Sequence, residues 1–385
     1  MPVLPSTTTL ATPDRFPLGA HSLALGATET GAAVVTELEH KTTRQGKPFA
    51  RLTLRNATGA ATVNVWAESI PALTDISSGT PVRVTLTLVT GRDGAEWQFA
   101  DIQRLPANHA VAREALPQGR VSRASLTART TRLLKAMSPE ARELLLLAME
   151  TPVTTGGGTA FTLKERFYVA PAAVGHHHAH IQGLWHHTVQ VAEGALSLAR
   201  CYLEAGDIKS LDLDVVLAAS LLHDCGKVIT YSWTGTIGMA PLDAAMSHMG
   251  WGLRILDEAL LRAELAGGWT PSARQRNLAE AIAHGIAAHH GRLEWGALAV
   301  PASLEIQLVH LADVASSTLQ PLTDAVASLP EHASGWHQIQ DGWRKRFIFA
   351  SPTVTEADAA PTTPYDPPAS DALLTFTLDA IAQEA

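Results

Sequence analysis

The chain has only two cysteines, Cys201 and Cys225, in 385 residues. Two lone thiols make neither a disulfide framework nor a Cys-based zinc centre, and they fit a reducing compartment. Positive charge is also short. There are 29 Lys+Arg against 37 Asp+Glu, a net charge of −8, which excludes a globally basic nucleic-acid binder but not a local basic patch. Lysine is scarcer still, 7 against 22 arginines, as compositional drift in an Ala-rich protein produces. Long apolar runs are missing: Val215–Leu222 is far too short to span a bilayer. The first 26 residues carry Asp14 and Arg15 but no basic segment followed by an apolar run, so no signal peptide is expected and a cytoplasmic location is. What the chain does have is a 46% apolar share, enough to bury a large core, and a length that predicts two or three domains.

The texture changes along the chain. Residues 1–30, rich in Thr, Pro, Ala and Gly, read as a loose leader. Residues 31–105 alternate with period two. Phe49–Arg55 puts Ala50, Leu52 and Leu54 on one face; Ala33–Glu39, Ala61–Ala67, Pro81–Val89 and Glu96–Ile102 complete five strands, with a short helix over Glu68–Ile76. Five short strands with a helix after the third predict a small OB-type barrel. This module is nearly neutral. Residues 106–174 read as a linker and helical connector, with a basic run (Arg113, Arg120, Arg123, Arg129, Arg132, Lys135) that is either a path for a polyanion or a solvated face. Ser138 is expected to cap a helix to about Glu150, with Pro139 in its first position, and Gly156-Gly157-Gly158 reads as a flexible loop. Residues 175–350 form an all-α bundle with helices expected over 184–205, 212–224, 243–265, 272–290 and 301–318. Pro301 should lie in a first turn, Gly291 should be a stop, and Leu304, Leu308 and Leu311 should mark a packing face. Residues 351–385 read as a Pro-rich linker and a short amphipathic tail, Asp371–Ala382.

Histidine carries the signal. Of 17 histidines, 12 lie between His176 and His310. Five segments bring metal-type ligands: Trp185-His-His187, His223-Asp224-Cys-Gly-Lys227, Ser247-His248, His289-His290 and His310-Leu-Ala-Asp313. Successive ligands stand 36 (His187 to His223), 25 (to His248), 41 (to His289) and 24 (to Asp313) residues apart, helix-plus-loop distances that let separate helices point into one interior. Taken singly, each histidine is more simply a hydrogen-bonded core residue. Together, and with His223-Asp224 at the end of an apolar helix where unpartnered polar groups are costly, they point to a shared divalent cation. Imidazole with carboxylate suits Mn, Fe, Co, Ni or Zn and argues against an all-oxygen magnesium cage.

The pattern H…HD…H…H…D with HDxGK resembles the HD-domain metal-dependent phosphohydrolases. Pro171–His180, Gly183-Leu184, Asp224–Val228 and Ala288–Gly296, together with Gly46–Ala50, Leu54–Gly59 and Val65-Trp66 upstream, resemble the OB-plus-HD 3′→5′ exoribonucleases of the YhaM type over about residues 30–320. The resemblance implies metal ligation by His187, His223, Asp224, His248, His289 and Asp313, with His290 as a further ligand. It implies one or two divalent ions, Mn²⁺ first and Co²⁺, Fe²⁺ or Zn²⁺ as alternatives. Asp224 and Lys227 would be catalytic, Asp224 bridging two ions and Lys227 contacting a phosphate. His177 and His178 would bind phosphate or a second metal. His176, His180 and His186 have no family role. Cys225 stands where aliphatic residues are usual, and Ser247 where glycine is. The triple histidine also resembles the HD-like region of some conjugative relaxases.

The activity so implied is exonucleolytic hydrolysis of single-stranded RNA, or DNA, to nucleoside 5′-monophosphates by metal-activated water. The barrel would hold the strand, with Trp66, Trp97 and Phe99 as stacking surfaces. Single strands are the expected partners, membranes are not, and a homo-oligomer is compatible with the sequence. Two other readings stay open: a nucleotide phosphohydrolase with a regulatory barrel, and a non-catalytic OB-fold binding protein.

Overall fold

A computed structural model of the chain describes Leu18 and residues 24–350, except 92–93, 155–159, 176, 241–244, 268, 331–332 and 342–343. Most of the expected leader, the Gly156–Gly158 loop, His176 and the Pro-rich tail with Asp371–Ala382 lie outside those residues.

The first element is a five-stranded antiparallel sheet: β1 Thr28–Thr42, β2 Pro48–Asn56, β3 Gly59–Trp66, β4 Pro81–Gly91 and β5 Gly94–Arg104, in the order β3-β2-β1-β4-β5. β1 begins inside the stretch expected to be leader. It is long because it serves two partners. Its N-terminal half pairs with β4 (Thr28↔Thr87 to Val34↔Pro81) and its C-terminal half with β2 (Val34↔Arg55 to Thr42↔Pro48). A bulge between Val35 and Glu37 bends it from one pairing to the other. β3 and β5 lie against each other and bring the sheet round into a barrel, with a 3-10 turn, Ala67–Leu73, after β3. This is the OB-type arrangement. The alternation in β2 sets its inside, since Ala50, Leu52 and Leu54 are fully buried while Arg51 and Arg55 face solvent.

Residues 106–124 are not an open linker. They hold a short helix, α1 Val111–Glu114, whose Val111 packs with Ala115 on Val34 of β1. Gln118 bridges to Ile181. The apolar residues Val111, Ala112, Ala115 and Leu116 seat the segment. The following helices, α2 Arg123–Lys135, α3 Pro139–Glu150 and α4 Leu163–Phe167, likewise do more than connect. Leu126, Leu133, Leu144 and Phe167 share one core with the helices downstream. Between α3 and α4 runs a two-stranded ribbon, β6 Pro152–Thr154 with β7 Ala160–Thr162. Ser138 caps α3 as expected, accepting a hydrogen bond from the Ala141 amide. In the basic run, Arg129 grips Glu193 through Nε (3.0 Å) and Nη2 (2.5 Å).

The helical body continues with α5 Gly183–Glu204, α6 Leu213–Leu222, α7 Lys227–Thr230, α8 Ser247–Leu265, α9 Ala273–Ala288 and α10 Leu304–Ala327, with a small ribbon, β8 Tyr231–Ser232 and β9 Gly238–Met239, after α7. α6 is the axis of the body. It is apolar all round, and every residue from Asp214 to Leu222 is buried. α10 starts at Leu304, so Pro301 precedes its first turn. Its buried side is Ile306, Leu308, Val309, Ala312 and Ser316; Leu304 and Leu311, expected on the packing face, are exposed. The barrel abuts the body where the Gly79 carbonyl meets Gly235. A Cβ on Gly235 would lie 2.3 Å from that oxygen.

The described residues up to Gln320 form one compact unit and those from Pro321 another. The second contains the end of α10 and an antiparallel hairpin, β10 Gly335–Asp341 with β11 Arg344–Ala350, in place of the helical bundle expected to run to residue 350.

Candidate metal centre

α6 ends by delivering His223, its C-terminal cap, and Asp224 into the middle of the body, both at most 1% exposed. Gly226 then lets the chain turn beneath α8: a Cβ there would sit 1.9 Å from the His248 carbonyl. His187 comes from the first turns of α5, His248 from the start of α8, His289 from the end of α9 and Asp313 from the middle of α10. Ser247 reaches this geometry with φ +62°, a left-handed conformation that glycine adopts without strain.

The Asp224 carboxylate stands between two sets of imidazoles. Oδ2 is 3.3 Å from the Nε2 atoms of both His187 and His223. Oδ1 is 3.3 Å from His248 Nε2 and 3.6 Å from His289 Nε2. Asp313 Oδ1 closes the first set at 3.1 Å from His187 Nε2 and 4.0 Å from His223 Nε2. Lys227 reaches in from α7, its Nζ 2.7 Å from Asp224 Oδ2.

The imidazoles are oriented from behind. His223 Nδ1–H donates to the Ser220 carbonyl (2.7 Å) and His289 Nδ1–H to that of Ile286 (2.9 Å). His187 Nδ1–H donates to Ser316 Oγ (3.0 Å), which donates onward to Gln190 Oε1 (2.9 Å). Each bond fixes a tautomer with Nε2 turned inward. Nε2 of His187 then faces Nε2 of His223 at 3.3 Å, and Nε2 of His248 faces Nε2 of His289 at 3.3 Å. Lone pairs so placed repel unless a cation or proton lies between them. Asp224 Oδ1 is buried with no hydrogen-bond partner. An orphaned carboxylate oxygen between inward-facing imidazoles fits a divalent ion.

Charge in the cluster is strongly coupled. Burial disfavours protonated His187, but the carboxylates of Asp224 and Asp313 outweigh it and raise its pKa. Burial also opposes ionisation of Asp224, yet Lys227 and His223 hold it well below the usual carboxylate range. Asp313 is lowered too: burial opposes ionisation, and the hydrogen bond and charge of His187 override it. Burial pushes His248 down to about 3 and His177 down to about 4.

His290 lies at the rim. Its Nδ1–H donates to the Trp295 carbonyl (2.8 Å), and its ring packs beside His248 and His289, with which it forms a potential ligand group. Of the two histidines, His289 is the one that faces Asp224. His177 packs its ring 5.5 Å from that of His187. His178, expected to meet phosphate, is only 1% exposed, and its Nε2–H is committed to Gln190 Oε1 at 3.0 Å; burial closes it to substrate. Cys225 is buried against Gly252, and burial, reinforced by Asp224, pushes its thiol up to about 12.

On the barrel, Trp97 is not a stacking surface. It is buried in the core, and its indole N–H donates to the Leu18 carbonyl at 3.2 Å. Phe99 packs partly buried against the same core. Trp66 is 46% exposed and lies 5.6 Å, ring to ring, from Phe49. Phe49 also lines a surface hollow of about 320 Å³ with Lys41, Arg51, Thr62 and Asn64 on β1–β3. The sequence reading missed this hollow, and it missed Ser316 and Gln190. Each of those two follows an expected ligand by three residues on a helix, which puts it on the same face.

Residues 184–318 match the family model of the HD domain, and this part of the chain is an HD domain. An OB-type barrel ahead of an HD domain with this constellation makes the chain a metal-dependent hydrolase. It is similar to the 3'-5' exoribonuclease YhaM of Oceanobacillus iheyensis, 25% identical over 323 residues, covering 79% of this chain and 89% of the relative. The 3'-5' exoribonuclease YhaM of a Geobacillus species is also 25% identical, over 70% of this chain and 75% of its own. Among solved structures, the second OB-fold domain of replication protein A from Methanococcus maripaludis aligns at 19% identity. That match covers 22% of this chain and 88% of that one, with a TM-score of 0.18. No helix among the described residues is long and apolar enough to cross a membrane.

Proposed function

We propose that the chain is a 3′→5′ exoribonuclease that shortens single-stranded RNA one nucleoside 5′-monophosphate at a time. The observation that carries this reading is the Asp224 carboxylate, which offers Oδ2 to His187 and His223 and Oδ1 to His248 and His289. We assign ion binding to His187, His223, Asp224 and Asp313 on one side and to His248, His289, His290 and Asp224 on the other, with Mn²⁺ as the first candidate. Bound divalent ions supply an acidified water and polarise the phosphoryl group.

The chain's own residues do the rest. Lys227 brings a buried positive charge to the edge of Asp224, where it offsets the charge that builds on the scissile phosphate. The water oxygen bonds to phosphorus and gives up a proton, the P–O3′ bond breaks, and the 3′ oxygen leaves, taking up a proton to become the new terminal hydroxyl. We assign His177, whose ring packs beside that of His187, to contact with the phosphate. On the barrel, Phe49 and Trp66 offer bases a stacking face, and Lys41 and Arg51 offer phosphates a counter-charge. The abutment at Gly79 and Gly235 sets the barrel beside the β8–β9 ribbon that follows Lys227. The exoribonuclease relatives, aligned over 79% and 70% of the chain, support the direction and the substrate. We place the activity in the cytoplasm, a reducing compartment that suits the two free thiols, Cys201 and Cys225.

The test uses purified chain, Mn²⁺ and a 5′-labelled unstructured RNA. The expected result is a ladder that shortens from the unlabelled end, lost with EDTA and in the His223→Ala, Asp224→Ala variant. Hydrolysis of mononucleotides alone would instead identify a nucleotide phosphohydrolase, and binding without hydrolysis a barrel-driven binding protein. A 5′-labelled DNA in parallel reports the sugar preference.

A further inference from the structure

Outside the Asp224 cluster, three further histidines converge. His178, His180 and His186 each bring a ring nitrogen within 4.8 Å of the other two. The ring centroids of His178 and His186 are 4.6 Å apart, and His180 lies 5.8 and 6.1 Å from them. His178 is 1% and His186 5% exposed, yet Nδ1 of each is buried with no hydrogen-bond partner. His178 Nδ1 is an orphaned lone pair, because its Nε2–H donates to Gln190 Oε1; His186 Nε2 accepts from Gln190 Nε2–H at 3.2 Å, so its orphaned Nδ1 carries the ring proton, which an arriving ion displaces. His180 Nδ1–H donates to the Ile181 carbonyl at 2.8 Å, which leaves its Nε2 as a bare donor of electrons.

The backbone is bent to bring these rings together. His178 has φ +54° and Gln182 φ +67°, left-handed conformations that side-chain-bearing residues adopt at a cost. The loop is locked from below: a Cβ on Gly183 would lie 2.0 Å from the His178 carbonyl. None of the three residues approaches Asp224 or Asp313 as a ligand.

We propose that His178, His180 and His186 form a second metal site, separate from the Asp224 cluster, that takes one late transition-metal ion, Zn²⁺ in the first instance. Three imidazoles and no carboxylate favour Zn²⁺, Ni²⁺ or Cu²⁺ over Mn²⁺ or Mg²⁺, so the two sites differ in the ions they select. The site pins the 177–182 loop to the start of α5. His178 Nε2–H and Ser316 Oγ both donate to Gln190 Oε1, and Ser316 also accepts from His187, so the ion would act on the orientation of His187 from behind.

The experiment counts metal and needs no RNA, so its outcome is independent of the exoribonuclease reading. Full-length chain is stripped with chelator, loaded with Zn²⁺, desalted and analysed for bound zinc. The expected result is that His180→Gln lowers the bound zinc by one equivalent, in the wild-type chain and in the His223→Ala, Asp224→Ala background alike. Co²⁺ loading in that background should give a visible d–d absorption that His180→Gln abolishes. Circular dichroism of the metal-free proteins controls for folding; should the background variant not fold, the wild-type comparison alone decides. Equal zinc content with and without His180→Gln, or an unchanged cobalt spectrum, overturns the proposal.

Discussion

In the Asp224 cluster, each of His187, His223 and His289 has one ring nitrogen held by the protein and the other turned inward. For His223 and His289 the holder is a backbone carbonyl, which no substitution removes. For His187 it is the Ser316 hydroxyl, so this ligand alone is adjustable by mutation. Ser316→Ala is expected to weaken Mn²⁺ binding about 10–100-fold, with little change in melting temperature; titration calorimetry checks it. His187 also sets the pH dependence. Its raised pKa means that folding favours its protonated form in the metal-free chain. That contribution is complete below about pH 6.5 and fades as pH rises through the raised value. Proton and metal compete for the same Nε2, so Mn²⁺ affinity should fall as pH drops through that range. His248, at about 3, stays neutral throughout and adds nothing to this slope. A pH-independent dissociation constant across that range would contradict the assignment of His187.

Among the elements, α6 shows how the centre is held. Its N-terminus is stapled by Asp214, which accepts from the Ser138 amide at 2.8 Å and from Arg274 Nη2 at 2.7 Å, so α3, α6 and α9 meet at one carboxylate. Asp214→Ala should destabilise the chain by about 1–3 kcal/mol in urea denaturation. The Asp214 pKa is lowered: burial opposes ionisation, and the bonds from Ser138 and Arg274 override it. The stabilisation is therefore present above about pH 4 and lost as pH falls toward the lowered value, so wild type and variant should converge in acid. In the barrel, Trp66→Ala should weaken single-strand binding by about 1–3 kcal/mol and spare stability. Trp97→Ala should do the reverse, costing about 3–5 kcal/mol of stability. Binding isotherms and melts on the two variants separate the roles.

These elements also mark how far the sequence could be read. Alternation located all five strands, because side chains two apart share a face, but it does not say which face of β5 turns inward; barrel closure against β3 decides that, and it buries Trp97. The α10 reading failed similarly. Leu304, Leu308 and Leu311 share a stripe, but the neighbours of α10 select Ile306, Leu308 and Val309. The bends at His178 and Gln182 carry no glycine to announce them.

At the scale of the molecule, the order of barrel and helical body was legible because period-two and period-3.6 patterns do not mix. The convergence of His187, His223, Asp224, His248, His289 and Asp313 was legible because ligand-type residues at helix-plus-loop intervals are costly to bury apart. The boundaries were not. Apolar residues in short segments such as Val111–Leu116 and in α2 give too little period to show that they join a core. The hairpin Gly335–Ala350 escaped for the same reason. The abutment of Gly79 on Gly235 has a consequence for how digestion ends. On the exonuclease reading proposed above, a strand held at both the barrel and the Asp224 centre would have to span the ground between them. As it shortens it loses its far anchor before it is consumed. The expected end products are mononucleotides and a residual oligomer of fixed size, the same whatever the starting length, and high-resolution gels on substrates of several lengths would measure that ruler.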